Sequence, residues 1–253
     1  MNEINETLPT DLTSCAVFLD IDGTLIDIAE TPDQVIVPHH LPEQLAKVSL
    51  RLNGALALIS GRSIGSIDEL FAPFRFPAAG LHGTEIRTQQ GGEIECDIVD
   101  EGYLSSARQH LERLAKQWPG LIVEDKDVAI AVHYRRVPEA AEHVDRVVES
   151  VLLELGSGWT RQDGKMVVEV HPSASNKGAA IEKLMSAVPF KGRHPIAVGD
   201  DLTDERMFEF VNGKSGRSIK VGASSHASVA NFAVESAARV RDWISRLAKA
   251  NLD

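Results

Sequence analysis

Three observations predict an α/β protein: a doubly wound parallel sheet with an α+β unit set into it. Short apolar runs at 15–19, 54–59 and 195–199 show no polar alternation, as expected of strands buried on both faces. Stretches with apolar residues at helical spacing separate them, which is the alternation of a parallel sheet wound with helices. Between residues 103 and 172 the texture changes to helix, strand, strand, twice over. That order belongs to an α+β unit. The repetition is architectural only, with no repeated sequence. The expected division is therefore 1–102 and 173–253 for the core and 103–172 for the insertion.

Taken in order, residues 1–14 read as a loose polar leader, and strand 15–19 follows. Thr31-Pro32-Asp33 and Pro38-His39-His40 read as loop, with both histidines solvated. A helix opens at Leu41-Pro42-Glu43, with Pro in its first turn and Leu41, Leu45, Val48 and Leu52 on one face. Strand 54–59 ends in Ser60-Gly61-Arg62. Ile64, Ile67, Leu70 and Phe71 then carry helical spacing, and a third strand is expected over 77–84. Residues 85–97 alternate around Gly91-Gly92, predicting a hairpin at the sheet edge.

In the insertion, the spacing predicts a helix over 103–117 and strands at 121–124 and 128–134, joined by Asp125-Lys126-Asp127. A helix opened by Pro138 comes next, then a hairpin of 158–161 with 166–170 turning at 162–165. The α/β texture resumes with a helix from Ser175-Asn176-Lys177-Gly178. Strand 195–199 ends in Asp200-Asp201-Leu202-Thr203-Asp204, before a helix with Met207, Phe208 and Phe210. Strand 218–222 is expected to be the last inner strand, and the final helix carries Val240, Trp243, Ile244 and Leu247.

Composition narrows the function classes. Asp plus Glu outnumber Lys plus Arg by 37 to 26, a net charge of -11. An acidic chain lacks the basic stripe that nucleic acid requires, although a few local cations suffice for a small anion. No apolar run approaches the ~18 residues of a membrane span, and the polar start lacks the features of a signal peptide. Two cysteines, Cys15 and Cys96, are too few for a disulfide framework or a thiolate metal site. These features fit a cytoplasmic protein with no nucleic-acid or membrane partner, and leave oligomeric state open.

The chemistry gathers at strand ends. The opening strand stops at Asp20-Ile21-Asp22-Gly23-Thr24, the second at Ser60, and a later one at Asp200, Asp201 and Asp204, while a helix start supplies Lys177. In a parallel sheet these ends share one edge, where α/β proteins bind ligands. Carboxylates without His or Cys select a hard cation such as Mg2+. A hydroxyl and an ammonium fit phosphate oxygens. The combination points to phosphoryl transfer. The Asp cluster after residue 199 has an alternative use, because Asp is also a common helix cap, and Asp204 is the member most open to that reading.

These segments, in this order, resemble the four motifs of the haloacid dehalogenase-like phosphatase superfamily. The resemblance runs from about residue 15 to the end and implies a Rossmann-like core. It also implies roles: Asp20 as nucleophile, forming an aspartyl-phosphate, and Asp22 as general acid and then base. Mg2+ would be held by the Asp20 carboxylate, the Asp22 main-chain carbonyl and Asp200, with Asp201 or Asp204 near by. Ser60 and Lys177 would hold phosphoryl oxygens, with Thr24, Gly61 and Arg62 in support. The inserted unit lies where the superfamily's C2-type caps are found, and such caps cover the site and read the leaving group.

Within that group the chain is similar to the trehalose-6-phosphate phosphatase family. Gly80-Leu81-His82-Gly83, Glu124-Asp125-Lys126 with Val132-His133-Tyr134-Arg135, and Gly164-Lys165-Met166-Val167-Val168-Glu169-Val170 carry the resemblance. It implies that Glu124, Lys126, Lys165 and Glu169 bind the hydroxyls of trehalose 6-phosphate, with His82 reaching the same cleft. On the residues alone, the same positions read as a surface turn and an ordinary hairpin pair. The short N-terminus implies a stand-alone phosphatase without an attached synthase. Competing readings are a capped phosphatase for sucrose, mannosylglycerate or hexose phosphate, a phosphomutase, and a non-catalytic phosphosugar-binding regulator. The presence of both Asp20 and Asp22 weighs against the regulator.

Overall fold

The structure is a computed structural model describing residues 7–29, 34–96, 101–126, 128–164, 166–223 and 227–250. Lys165 and Asp127 therefore lie outside the described residues, as does the loop at 31–33. The chain divides into two compact units, 1–96 with 176–253, and 97–175. These boundaries lie a few residues from the expected 102/103 and 172/173.

The larger unit is built on an eight-stranded sheet. Its strands are β1 (Cys15–Asp20), β2 (Leu56–Ile59), β3 (Ala78–Gly80), β4 (Glu85–Arg87), β5 (Glu95–Cys96), β10 (His194–Gly199), β11 (Arg217–Val221) and β12 (Phe232–Val234). The order is β12-β11-β10-β1-β2-β3-β4-β5. Pairing is parallel from β12 to β3 and antiparallel for β4 and β5, the hairpin expected at the edge. Every residue of β2 is buried, as are Ala16 to Asp20 in β1, which explains their unbroken apolar character.

Helices α1 (Leu41–Arg51), α2 (Ile64–Leu70), α5 (Lys177–Ser186), α6 (Glu205–Gly213) and α7 (Ala237–Lys249) complete this unit. Pro42 sits in the first turn of α1, where its missing N–H costs nothing. Ser63 caps α2 by accepting from Ser66 N, and Asn176 caps α5 by accepting from Ala179 N. The Asn176 cap fixes Lys177 as the first residue of α5. Core packing includes Phe18 stacked on Phe190, with ring centroids 5.5 Å apart.

Several expectations are corrected. The leader is not loose where it is described: Leu8 and Leu12 are buried in the core, and Trp243 Nε1 donates to the Pro9 carbonyl at 2.8 Å. Strand β3 stops at Gly80, and Leu81–Gly83 form a tight turn in which Leu81 and His82 are left-handed. β11 is the last inner strand, as expected, and β12 adds a short parallel strand at the edge beyond it.

The smaller unit carries a four-stranded antiparallel sheet of β6 (Ile122–Asp125), β7 (Ile130–His133), β8 (Trp159–Gly164) and β9 (Val167–Pro172), in the order β6-β7-β9-β8. Helices α3 (Glu101–Gln117) and α4 (Ala141–Leu155) accompany it. Ile130, Val132, Val168 and Val170 join Leu111, Val144, Val148 and Val151 in one apolar cluster. The sheet therefore turns one face to its helices. β8 runs through Gly164, so the expected turn at 162–165 is shifted toward Met166, whose φ of 64° is left-handed. Among the described residues, no helix is long and apolar enough to cross a membrane.

Candidate active site

Strands β10, β1 and β2 are neighbours and parallel, so Asp200, Asp20 and Ser60 emerge side by side at their carboxyl ends. All three are buried. Sequence separations of 40 and 140 residues or more thus collapse to adjacent positions on one edge, which is the edge that binds ligands in open α/β sheets.

Lys177 arrives from the start of α5. Its Nζ donates to Asp20 Oδ1 at 2.7 Å and to Asp204 Oδ1 at 2.6 Å, and all three side chains are buried. The second oxygen of Asp204 accepts from the backbone N–H of Asp200 at 2.8 Å and of Asp201 at 3.0 Å. Asp201 in turn accepts from Leu202 N, so Asp201 and Asp204 form a capping box around the turn that follows β10. Asp204 is thus a brace between Lys177 and the Asp200 loop. Its two oxygens are engaged by the protein itself.

Burial first, and then the charge of Asp204, push the Asp20 carboxyl well above the usual aspartate range, with Lys177 opposing them. Burial disfavours the Lys177 ammonium, but the charges of Asp20 and Asp204 outweigh it and raise Lys177 above the ordinary lysine value. Lys177 therefore remains a cation.

The turn after β1 holds Asp22. Gly23 has φ of +85°, and a Cβ there would run into the Asp200 carboxylate, so only glycine allows the two segments to approach. Arg62 Nε and a terminal nitrogen donate to the two Asp22 oxygens, each at 2.7 Å. This is the bidentate fork typical of strong guanidinium–carboxylate pairs. Thr24 is buried in the same turn.

Ser60 Oγ accepts from Arg62 N at 3.1 Å, and Ser60 O accepts from His82 N at 3.1 Å. His82 is buried with φ of 55°, and its ring occupies the space that a Cβ at Gly61 would need, 2.6 Å from His82 Nε2. The Leu81–Gly83 turn thus lies directly on the Ser60–Arg62 turn.

Of the residues expected from the sequence, Asp20, Asp22, Thr24, Ser60, Gly61, Arg62, His82, Lys177, Asp200, Asp201 and Asp204 all lie on these connected turns. Carboxylate oxygens of Asp20, Asp200 and Asp204 come within 4.8 Å of one another, a group able to hold a cation. Lys220 was missed. It is buried at the end of β11 and donates to the Asp200 carbonyl. The available signal was a lysine between Ile219 and Val221 in a strand expected to be an inner one.

In the smaller unit, Lys126 Nζ meets Glu169 Oε2 at 2.6 Å, and His133 Nε2 lies 2.8 Å from Glu124 Oε2. Burial opposes the Glu124 carboxylate, but the His133 hydrogen bond and the Lys126 charge win and hold it below the usual range. His133 was not singled out for a role. Strand alternation already placed it on the face of Glu124, opposite Val132.

The chain matches the family model described as trehalose-phosphatase over residues 18–238. It is 43% identical to a probable trehalose-phosphate phosphatase of Sinorhizobium fredii, over 97% of this chain and 92% of that protein. It is 37% identical to the trehalose-6-phosphate phosphatase of Escherichia coli, over 93% of this chain and 87% of that one. The C-terminal domain of a C. albicans trehalose-6-phosphate phosphatase shares its fold, with a TM-score of 0.86 at 21% identity over 98% of this chain and 97% of that one. A parallel-dominated α/β sheet with acidic strand ends and a match across nearly the whole chain lead to one assignment: the chain belongs to the trehalose-phosphatase family.

Proposed function

We propose that this protein hydrolyses trehalose 6-phosphate to trehalose and inorganic phosphate through a phosphoryl group carried on Asp20. The observation that carries the reading is Lys177 bonded to Asp20 beside Asp200 and Asp22, on a chain 43% identical to a trehalose-phosphate phosphatase. Family membership supports the substrate, and the strand-end cluster supports the chemistry.

In the first step an Asp20 oxygen attacks phosphorus, and the bond between phosphorus and the sugar oxygen breaks. Asp22 delivers a proton to that oxygen, so trehalose leaves as an alcohol. In the second step water attacks the aspartyl-phosphate, Asp22 takes the water proton, and phosphate departs with Asp20 restored. Lys177 and the Ser60 hydroxyl hold phosphoryl oxygens, and Arg62 orients Asp22. Bidentate pairing occupies both Asp22 oxygens, so one must be released before it can pass a proton.

The residues fit a divalent cation. The donors are hard oxygens, and Asp20, Asp200 and Asp204 outnumber the nearby cations Lys177 and Lys220 by three to two. Glycine at position 23 leaves the approach to Asp200 clear of side chain. Asp20, Asp200 and the Asp22 carbonyl would hold Mg2+, while Asp204 braces Lys177. When bound, the ion offsets the repulsion between carboxylate and phosphate and stabilises the transferring group.

Glu124, Lys126 and Glu169 supply charged donors and acceptors suited to a disaccharide rich in hydroxyls. Phosphate release from trehalose 6-phosphate, with and without Mg2+, tests the proposal against a panel of other sugar phosphates. Metal-dependent release with trehalose 6-phosphate preferred is expected. A preference of about tenfold for another sugar, or 1.4 kcal/mol in transition-state binding, overturns the substrate assignment.

A further inference from the structure

The ion pair between Lys126 and Glu169 spans an unusual path. Lys126 directly follows β6, Glu169 belongs to β9, and β7 lies between those strands. Two interstrand spacings put those strands about 10 Å apart. The pair nevertheless closes to 2.6 Å, with side chains only 11% and 7% exposed.

The register explains how. Glu124 pairs with Ala131, Ala131 with Glu169, and Glu169 with Gln162, so these four residues stand in one row across the sheet. Residues directly opposite in an antiparallel ladder share a face. Lys126 N bonds to Ala129 O, which puts Ala129 beside Lys126 on the neighbouring strand. The bridge must therefore pass over β7 at Ala129 and Ala131. Both alanines are buried, at 1% and 0% exposure, yet among the described residues they belong to neither apolar cluster. Their neighbours Ile130 and Val132 fill the opposite, helix-packed face.

We infer that Ala131 is a specificity-determining position: its methyl group lets Lys126 reach Glu169 over β7 and so sets the placement of the charges that meet the sugar hydroxyls. The inference rests on the proposed binding of sugar hydroxyls by Glu124, Lys126 and Glu169. A branched side chain at 131 would stand between the two carboxylates, in the path of the lysine, and would displace the pair that meets the sugar. Val is favoured in strands, so the exchange changes the shape of this face and not the strand preference.

The test compares wild type, Ala131→Val, Lys126→Ala and the double variant, on trehalose 6-phosphate and on p-nitrophenyl phosphate. Ala131→Val is expected to raise KM for the sugar phosphate about tenfold with kcat changed less than about threefold, while aryl phosphate turnover is unchanged. Because the two residues act together, Ala131→Val is expected to add less than about twofold in the Lys126→Ala background. An unchanged sugar KM in Ala131→Val, or fully multiplying effects in the double variant, overturns the inference.

If Lys126→Ala raises KM and Ala131→Val does not, position 131 fails while sugar binding by these charges stands. If neither moves KM, the sugar-binding reading fails and the inference with it. Should Ala131→Val not yield folded protein, as read from circular dichroism, Ala131→Ser decides. Its KM is expected to rise about threefold, and no rise overturns the inference.

Discussion

The guanidinium of Arg62 grips both carboxylate oxygens of Asp22, at 2.7 Å each. The proposed general acid is therefore held in a fixed place by a planar partner, and a lysine there would keep the charge but not the fork. Asp22→Asn is expected to lower kcat on trehalose 6-phosphate by about 10²–10⁴. With p-nitrophenyl phosphate the first step needs no proton, because nitrophenolate is a good leaving group. The same variant should then give a rapid burst of nitrophenolate followed by slow turnover, since the second step still lacks its base. Arg62→Lys should cost about tenfold in kcat, consistent with misplacement of a reacting group. Rapid-mixing kinetics measures both. A variant at Asp22 that loses both substrates equally, without a burst, argues against its role as acid.

Lys177 Nζ links Asp20 to the Asp204 brace, with all three side chains buried. Removing the cation leaves two carboxylates facing each other out of water. Lys177→Met is expected to abolish turnover and to destabilise the fold by about 3–5 kcal/mol, the usual penalty for breaking a buried pair. Asp204→Asn relieves part of that repulsion. The double variant should therefore be less destabilised than the sum of the two single changes. Urea unfolding monitored by circular dichroism measures the cycle, and simple additivity would count against the brace.

The parts of this arrangement that could be read from the sequence are those written locally. Buried runs that end in Asp20, Ser60 and Asp200 announce strand ends, and Asn176 announces the helix that carries Lys177. What could not be read depends on contacts between distant segments. Nothing near Leu81 and His82 signals a left-handed turn; its amides bond to the carbonyls of Arg62 and Ser60, twenty residues away. Leu8 and Leu12 are two apolar residues in a polar stretch, and their burial depends on a core that includes Trp243. β12 has three residues, none buried, and so lacks the apolar signature of an inner strand. Asp204 sits in a capping box, which its place after a strand suggests, but its bond to Lys177 depends on a segment 27 residues away.

The edge of the core sheet offers a separate test, through pH. Arg87 is fully buried, and its guanidinium donates to both oxygens of Asp68, at 2.8 and 2.5 Å, and to the Phe76 carbonyl. Burial pushes Asp68 up, but its bonds to Arg87 and Arg75 outweigh that and hold the carboxyl below the usual aspartate range. A carboxyl whose folded value is depressed stabilises the fold when ionised. That contribution is fully present above the unfolded value, near pH 4, and is lost as pH falls through the folded value. Asp68→Asn should cost about 3 kcal/mol at pH 7, because it leaves Arg87 buried without its counter-charge. Between pH 7 and pH 2 the gap between wild type and variant should narrow, since protonation removes in the wild type the charge that the variant already lacks. Urea unfolding at both pH values measures it. A gap that stays constant would mean that Asp68 acts here through shape and not through charge.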